Sequence, residues 1–175
     1  MNDAIAKQGI GDGLCGIYCL ANSMIGWEKI NDFPIPLREA IRRLVVSAER
    51  LNLLDSYHVT VGFEDFELCE IFNLMAENYR YANIAIPLEV VAKEFQLTSA
   101  IGIVREIIAV GGAVIVSVEK GEHWVLAQKI HEDEKSVKVI DSWPGSKLEK
   151  IGQIQTLKDG VVIIGRESEL AKLKK

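Results

Sequence analysis

The chain has 175 residues, of which 49% are hydrophobic and 26% charged, proportions typical of one soluble globular domain. Its formal net charge of −5 provides no basic surface for a phosphate backbone, so we expect no nucleic-acid partner. No apolar run reaches the roughly 18 to 20 residues of a membrane-spanning helix. The first residues also lack the pattern of a secretory signal.

Three cysteines, Cys15, Cys19 and Cys69, form an odd set without the spacing of a disulfide framework. They predict free thiols in a reducing compartment, and we expect a cytoplasmic protein, with delivery as a secreted effector left open. No histidine or cysteine cluster completes a metal set around Cys15 and Cys19, so neither a metal nor another cofactor is expected. Cys19 and Cys69 are interpreted as core residues.

Apolar residues recur at helical spacing through the first two thirds of the chain, after a glycine-rich loop at 8–13. This spacing predicts five helices: 14–25, 37–54, 63–79, a short one after Pro87, and 101–110. β-branched runs bounded by glycines and charges follow. They predict four strands: 113–118, 123–130, 136–140 and 160–165.

Helices first and strands second, with short connections between the strands, predict an α+β fold with an antiparallel sheet. We interpret residues 1–175 as a single domain. A helical lobe covers about 1–110, a β lobe about 111–167, and 168–175 form a short tail.

Three residues that can carry out nucleophilic catalysis fall at the ends of predicted elements. Cys15 begins the first helix, where unpaired backbone N–H groups and the helix dipole stabilise a thiolate. His123 begins a strand and Asp141 follows the next strand, so antiparallel pairing brings them together. A carboxylate beside an imidazole fixes its tautomer and stabilises the imidazolium. The sequence therefore predicts a nucleophile, its base and an orienting acid in chain order.

The segments around these residues resemble the motifs of papain-like cysteine peptidases. The stretch 12–22, DGLCGIYCLAN, is similar to their nucleophile motif, in which a cysteine followed by glycine heads the central helix. Residues 122–125, EHWV, resemble the histidine strand, and 141–143, DSW, resemble the family's Asn-Ser-Trp. The exchange of Asn for Asp also occurs in the compact bacterial peptidases that process bacteriocin leaders. The resemblance implies a helical lobe that carries the nucleophile on a central helix packed against the β-sheet.

The resemblance further implies an oxyanion-hole glutamine a few residues before the nucleophile. Gln8 is the candidate, although it lies seven residues upstream, about one more than the family's spacing. Gly13 and Trp143 flank the predicted catalytic residues and are candidates for substrate binding, and Trp143 is expected to shield the His–Asp contact from water. The helical middle, 37–96, aligns with no particular subfamily, so the sequence predicts the substrate only as a peptide or protein. It does not predict the oligomeric state.

Other interpretations stay open beside hydrolysis of a peptide or isopeptide bond through a thioester. The same triad serves acyltransferases of the transglutaminase, arylamine acetyltransferase or phytochelatin synthase type. A non-catalytic binding domain on this fold, or a regulatory protein with a redox-sensitive Cys15, would not need all three residues. His58 is a rival base that is expected to lie in a loop before the sheet, without an obvious carboxylate partner at a strand end. His131 is expected to lie in a solvated turn.

Overall fold

The computed structural model describes residues 13–27, 35–87, 100–118, 123–130, 137–143, 150–151 and 160–171. These ranges contain six helices: α1 (Cys15–Trp27), α2 (Leu37–Arg50), α3 (Ser56–Val61), α4 (Asp65–Asn78), α5 (Ala100–Ala109) and α6 (Glu167–Leu170). They also contain six strands: β1 (Asn83–Pro87), β2 (Ala113–Val118), β3 (His123–Ile130), β4 (Val137–Ile140), β5 (Lys150–Ile151) and β6 (Val161–Arg166). The α+β class predicted from the sequence is confirmed.

All six strands form one antiparallel sheet in the order β1-β6-β2-β3-β4-β5. The four strands predicted from β-branched runs are confirmed, and β2 and β3 have the predicted bounds. Strand β1 is a correction, because it lies within the range assigned to the helical lobe and precedes α5. It exists through pairing with β6, in the register Asn83 to Arg166. The predicted short helix after Pro87 lies outside the described residues.

Helices cover both faces of the sheet. One core joins α1, α2 and α4 to one face, with Ile115 and Leu126 among its strand residues. A second core joins α5 and α6 to the opposite face, where Val114 and Val125 point. Successive strand residues alternate between the two cores, as the pleat requires. Strands β2 and β6 are buried along nearly their whole length. Their sequences are therefore almost continuously apolar and do not alternate between apolar and polar residues.

Helix α1 lies in the first of these cores and packs against β3, α2 and α4. Ile17, Leu20 and Ala21 are fully buried there. Burying apolar side chains stabilises a fold by roughly 25 cal/mol per Å² of area removed from water. The helix that begins at Cys15 is therefore fixed against the strand that begins at His123.

Candidate active site

Cys15 is the first residue of α1, as predicted. The Leu14 carbonyl accepts a hydrogen bond from the Tyr18 amide at 3.1 Å, so helical bonding begins one residue before Cys15. The amides of the first turn then have no partner within the helix, and their partial positive charge favours an anion at this end. Only 4% of the Cys15 surface is exposed.

The loop before Cys15 is held by α3. The Gly13 amide donates to the Val59 carbonyl. A Cβ at Gly13 would lie 2.8 Å from the carbonyl oxygens of His58 and Val59 and 2.9 Å from the Gly62 nitrogen. These are backbone atoms of one short segment and cannot easily give way. Position 13 therefore needs glycine, because only a residue without a Cβ lets this loop approach the backbone of α3 so closely.

Helix α1 is fixed against β3 by a contact one turn after Cys15. The Cys19 thiol donates to the Trp124 carbonyl at 3.2 Å, and both residues are buried. The Trp124 indole N–H in turn donates to the Phe63 carbonyl at 2.9 Å, which connects β3 to the segment between α3 and α4. The contact between Cys19 and Trp124 therefore brings the start of α1, with Cys15, to the same end of the packed pair as the start of β3, with His123.

His123 and Asp141 meet as the antiparallel register predicts. The His123 Nε2 lies 2.8 Å from the Asp141 Oδ1, and the two residues are 18 apart in sequence. Strands β3 and β4 pair Leu126 with Ile140, so Asp141 follows the last paired residue toward the His123 end. The side chains are 12% and 6% exposed, so the contact lies in a region where little water competes for it.

Cys15 acts on the same ring, because it is one of the side chains that raise the pKa of His123. Burial by itself lowers the pKa of His123, but the hydrogen bonds to Cys15 and Asp141 and the negative charge of both outweigh it. Together they raise the pKa of His123 to about 9. The imidazole therefore holds a proton at neutral pH when its two partners carry negative charge.

The other two thiols have different surroundings. Burial, with the charges of Cys15 and Asp141, raises the pKa of Cys19 well above its usual range. Burial, with the charges of Asp65 and Glu70, raises the pKa of Cys69 to about 12. Both remain neutral thiols at neutral pH, in agreement with the core role predicted for them. All three cysteines are free and buried.

Trp143 completes the surroundings of the His–Asp pair. Its amide donates to the same Asp141 Oδ1 that His123 contacts, at 2.8 Å, so one carboxylate oxygen holds both. Its ring lies edge-on to the His123 ring with centroids 6.4 Å apart, and 39% of the residue is exposed. Trp143 therefore covers one side of the imidazole and is itself open to a ligand.

The loop predicted for His58 is wrong, because His58 lies on α3. Two carboxylates contact its ring, and neither lies at a strand end. Its Nδ1 lies 2.7 Å from the Asp55 Oδ1 and its Nε2 lies 3.1 Å from the Glu67 Oε1. Asp55 also caps α3 by accepting from the His58 amide at 3.0 Å. With both ring nitrogens engaged by carboxylates, His58 joins α3 to the first turn of α4.

Sequence reasoning missed the role of this segment. The signal for α3 is present, since Asp55 is a favoured N-cap residue three positions before His58. Nothing in the local sequence connects Glu67 to His58 or Gly13 to Val59, because these contacts join separate elements. Gln8 and His131 lie outside the described residues, so the predicted oxyanion donor and the predicted solvated turn stay predictions.

Among the described residues, no group of three or more His, Cys, Asp or Glu side chains is arranged to hold a metal ion. In the same part of the chain, no helix has both the length and the apolar character needed to cross a membrane.

Comparison with known proteins gives no match to any family model, curated protein or solved structure.

Proposed function

We propose that the protein is a cysteine hydrolase of the papain-like type that cleaves a peptide or isopeptide bond. The observation that carries this proposal is the contact of the His123 Nε2 with Asp141 at 2.8 Å, together with the effect of Cys15, which helps to raise the pKa of the same ring. An imidazole held in this way can take the thiol proton and later return it to a leaving group. A cysteine at the start of a helix packed on an antiparallel sheet is also the arrangement that the sequence resemblance implies.

The proposed reaction proceeds in two steps. In the first, the Cys15 thiolate attacks the carbonyl carbon, the C–N bond breaks, and the His123 imidazolium gives its proton to the departing amine. In the second, water attacks the thioester carbon and gives a proton to His123. The C–S bond then breaks, the acid is released, and the thiol is restored. Asp141 keeps the imidazole oriented and stabilises its charged form through both steps.

The backbone amide of Cys15 supports the same proposal. It lies in the first turn of α1, where amides lack a helical partner, and is available to the oxyanion of the tetrahedral intermediate. Removing one donor of such an oxyanion site costs about 10²–10³ in rate. Gln8 is the second donor that the resemblance implies. The three free thiols agree with the reducing cytoplasm that we expect for the enzyme.

The proposal is tested with a pool of peptides that carry a coumarin amide, with and without an added primary amine. We expect wild-type protein to release the coumarin and form the peptide acid. Cys15→Ala should abolish release and His123→Ala should lower it strongly, whereas Cys69→Ala, which removes a buried thiol on α4, should retain it. Equal release by wild type and Cys15→Ala would refute the proposal. A peptide amide of the added amine as the main product would identify an acyltransferase instead.

A further inference from the structure

Most of the exposed large hydrophobic residues in the described part of the chain lie on α3 and at the start of α4. Four lie within ten residues of one another: Tyr57, Val59 and Val61 on α3 and Phe66 on α4, with 57%, 36%, 56% and 54% of their surfaces exposed. We call these four residues the α3–α4 surface. Isolated apolar residues on a surface are ordinary, but a cluster of this kind marks a binding face. The fifth exposed residue is Trp143, which contacts His123.

The α3–α4 surface is built onto the loop that carries the nucleophile. Gly13, two residues before Cys15, is in direct backbone contact with His58, Val59 and Gly62 at the end of α3. Tyr57 and Val61 are four residues apart and so share one side of this helix. The contact of His58 with Glu67 fixes the first turn of α4, with its exposed Phe66, in the same unit. A ligand on this surface therefore lies close to the start of α1.

The same region is acidic. Residues 51–79 contain six Asp or Glu residues and neither Lys nor Arg. The Asp55 side chain is 58% exposed, and Glu64 and Glu70 are exposed beside the apolar residues. Glu70 lies four residues after Phe66 and therefore on the same side of α4. A cluster of one sign attracts ligands of the opposite sign and disfavours acidic ones.

We propose that the α3–α4 surface binds the substrate next to the cleaved bond, and that the substrate there is an extended peptide with a large apolar side chain flanked by Lys or Arg. This inference rests on the proposed function. The apolar residue would cover Tyr57, Val61 and Phe66, and the basic residue would lie near the acidic side chains. The peptide is extended because Cys15, at 4% exposure, is open only to a narrow chain.

The test uses two peptide vinyl sulfones of equal length. One carries Leu-Lys and the other Leu-Glu before the electrophile. The Cys15 thiolate adds to the vinyl carbon farther from the sulfone, and the vinyl carbon next to the sulfone takes a proton. Each reaction therefore leaves a stable adduct that intact-protein mass spectrometry counts. Iodoacetamide, which needs no peptide-binding surface, is the reference. The quantity compared is the probe rate divided by the iodoacetamide rate for the same protein.

We expect this ratio to be at least about fivefold higher for Leu-Lys than for Leu-Glu in the wild type at low salt, with the difference shrinking as salt is added. Tyr57→Ser and Phe66→Ser should each lower the Leu-Lys ratio by about three- to tenfold, since each removes part of an apolar contact. Glu70→Lys should reduce the preference for Leu-Lys. Glu106→Lys, the same change at an exposed position on α5, should preserve it.

Three results would overturn the inference. Equal ratios for both probes, unaffected by Tyr57→Ser and Phe66→Ser, would refute the inference. If the iodoacetamide reaction of Cys15 still depended on His123, the proposed function would remain supported. Slow iodoacetamide labelling of Cys15 that does not depend on His123 would refute both. A wild-type dimer that becomes monomeric in Phe66→Ser, with unchanged probe ratios, would identify the surface as a contact between copies of this chain.

Discussion

Two histidines in the described part of the chain contact carboxylates, and their surroundings differ in one respect. His123 has one carboxylate, Asp141, on Nε2, and the Cys15 thiol also helps to raise its pKa. His58 has a carboxylate on each ring nitrogen, Asp55 on one side and Glu67 on the other. Both rings are largely buried, with 12% of each side chain exposed.

The comparison shows why a carboxylate partner alone does not identify a catalytic histidine. Hydrogen bonds with Glu67 and Asp55 raise the pKa of His58, just as Cys15 and Asp141 raise that of His123. An imidazole with a carboxylate on both sides is a fixed link between helices. An imidazole beside a thiol can exchange a proton with a nucleophile. The identity of the second partner separates the two roles.

The largest expected effect comes from replacing each histidine by alanine. His123→Ala should lower the rate at which iodoacetamide alkylates Cys15 near neutral pH by on the order of 10²-fold or more, because the base is lost. His58→Ala should change this rate far less, since His58 does not contact the thiol. Peptide mapping of the alkylated protein gives the rate at Cys15 separately from Cys19 and Cys69. Equal slowing in both variants would abolish the distinction between the two histidines.

The paired carboxylates should differ in their contribution to stability. Asp141→Ala leaves the buried His123 ring and the Trp143 amide without their shared acceptor, so we expect a loss of about 1–3 kcal/mol in the free energy of unfolding. Asp55→Ala removes an exposed cap of α3 and should cost less. Urea unfolding of the two variants beside the wild type measures this order. The reverse order would show that the α3 link supports the fold more than the His123 site does.

Gly13 connects the two regions, because it contacts the backbone that carries His58 and precedes Cys15. In Gly13→Ala the added Cβ meets three backbone atoms, so we expect a loss of about 1–3 kcal/mol of stability and slower Cys15 labelling. Gly16→Ala is the comparison, because its Cβ meets the buried Leu68 side chain and not the backbone of α3. The same unfolding and labelling assays apply, and wild-type behaviour of Gly13→Ala would contradict the close approach.

These elements also show how far the sequence predicts the molecule. Strands β2 and β3, helix α1 and the meeting of His123 with Asp141 follow from local patterns and from antiparallel pairing of neighbouring strands. Strand β1 could not be predicted in the same way, since only its pairing with the distant β6 makes it a strand. The position of α5 on the second face of the sheet likewise depends on packing between separate segments.

The contacts of the His58 ring could not be predicted from the sequence for the same reason. Its cap, Asp55, is close in sequence, but Glu67 belongs to another helix and its contact depends on how α3 and α4 pack. The pairing of Cys15 with His123 stays a prediction from three family-like motifs, since the two residues are more than one hundred positions apart in sequence. Contacts without such motifs, including that of Gly13 with α3, had no counterpart in the sequence pattern.

The smallest expected effect concerns pH and the His58 link. The folded-state pKa of His58 is raised, so its contribution to stability is fully present below its unfolded pKa of about 6.5 and is lost as pH rises through the folded value. His58→Gln should therefore destabilise the protein more at about pH 5 than at about pH 9. The difference in urea midpoint between the variant and the wild type at each pH measures this. An equal difference at both would contradict the charged link.

The most direct test of the proposed site is the titration of His123 itself, followed by NMR of its ring carbons in the wild type, Cys15→Ala and Asp141→Asn. We predict a pKa of about 9 in the wild type and a lower pKa in both variants, because each variant lacks a side-chain group that raises the pKa of the ring. An identical His123 pKa in the wild type and Cys15→Ala would contradict the pairing of thiol and imidazole on which the proposed hydrolase depends.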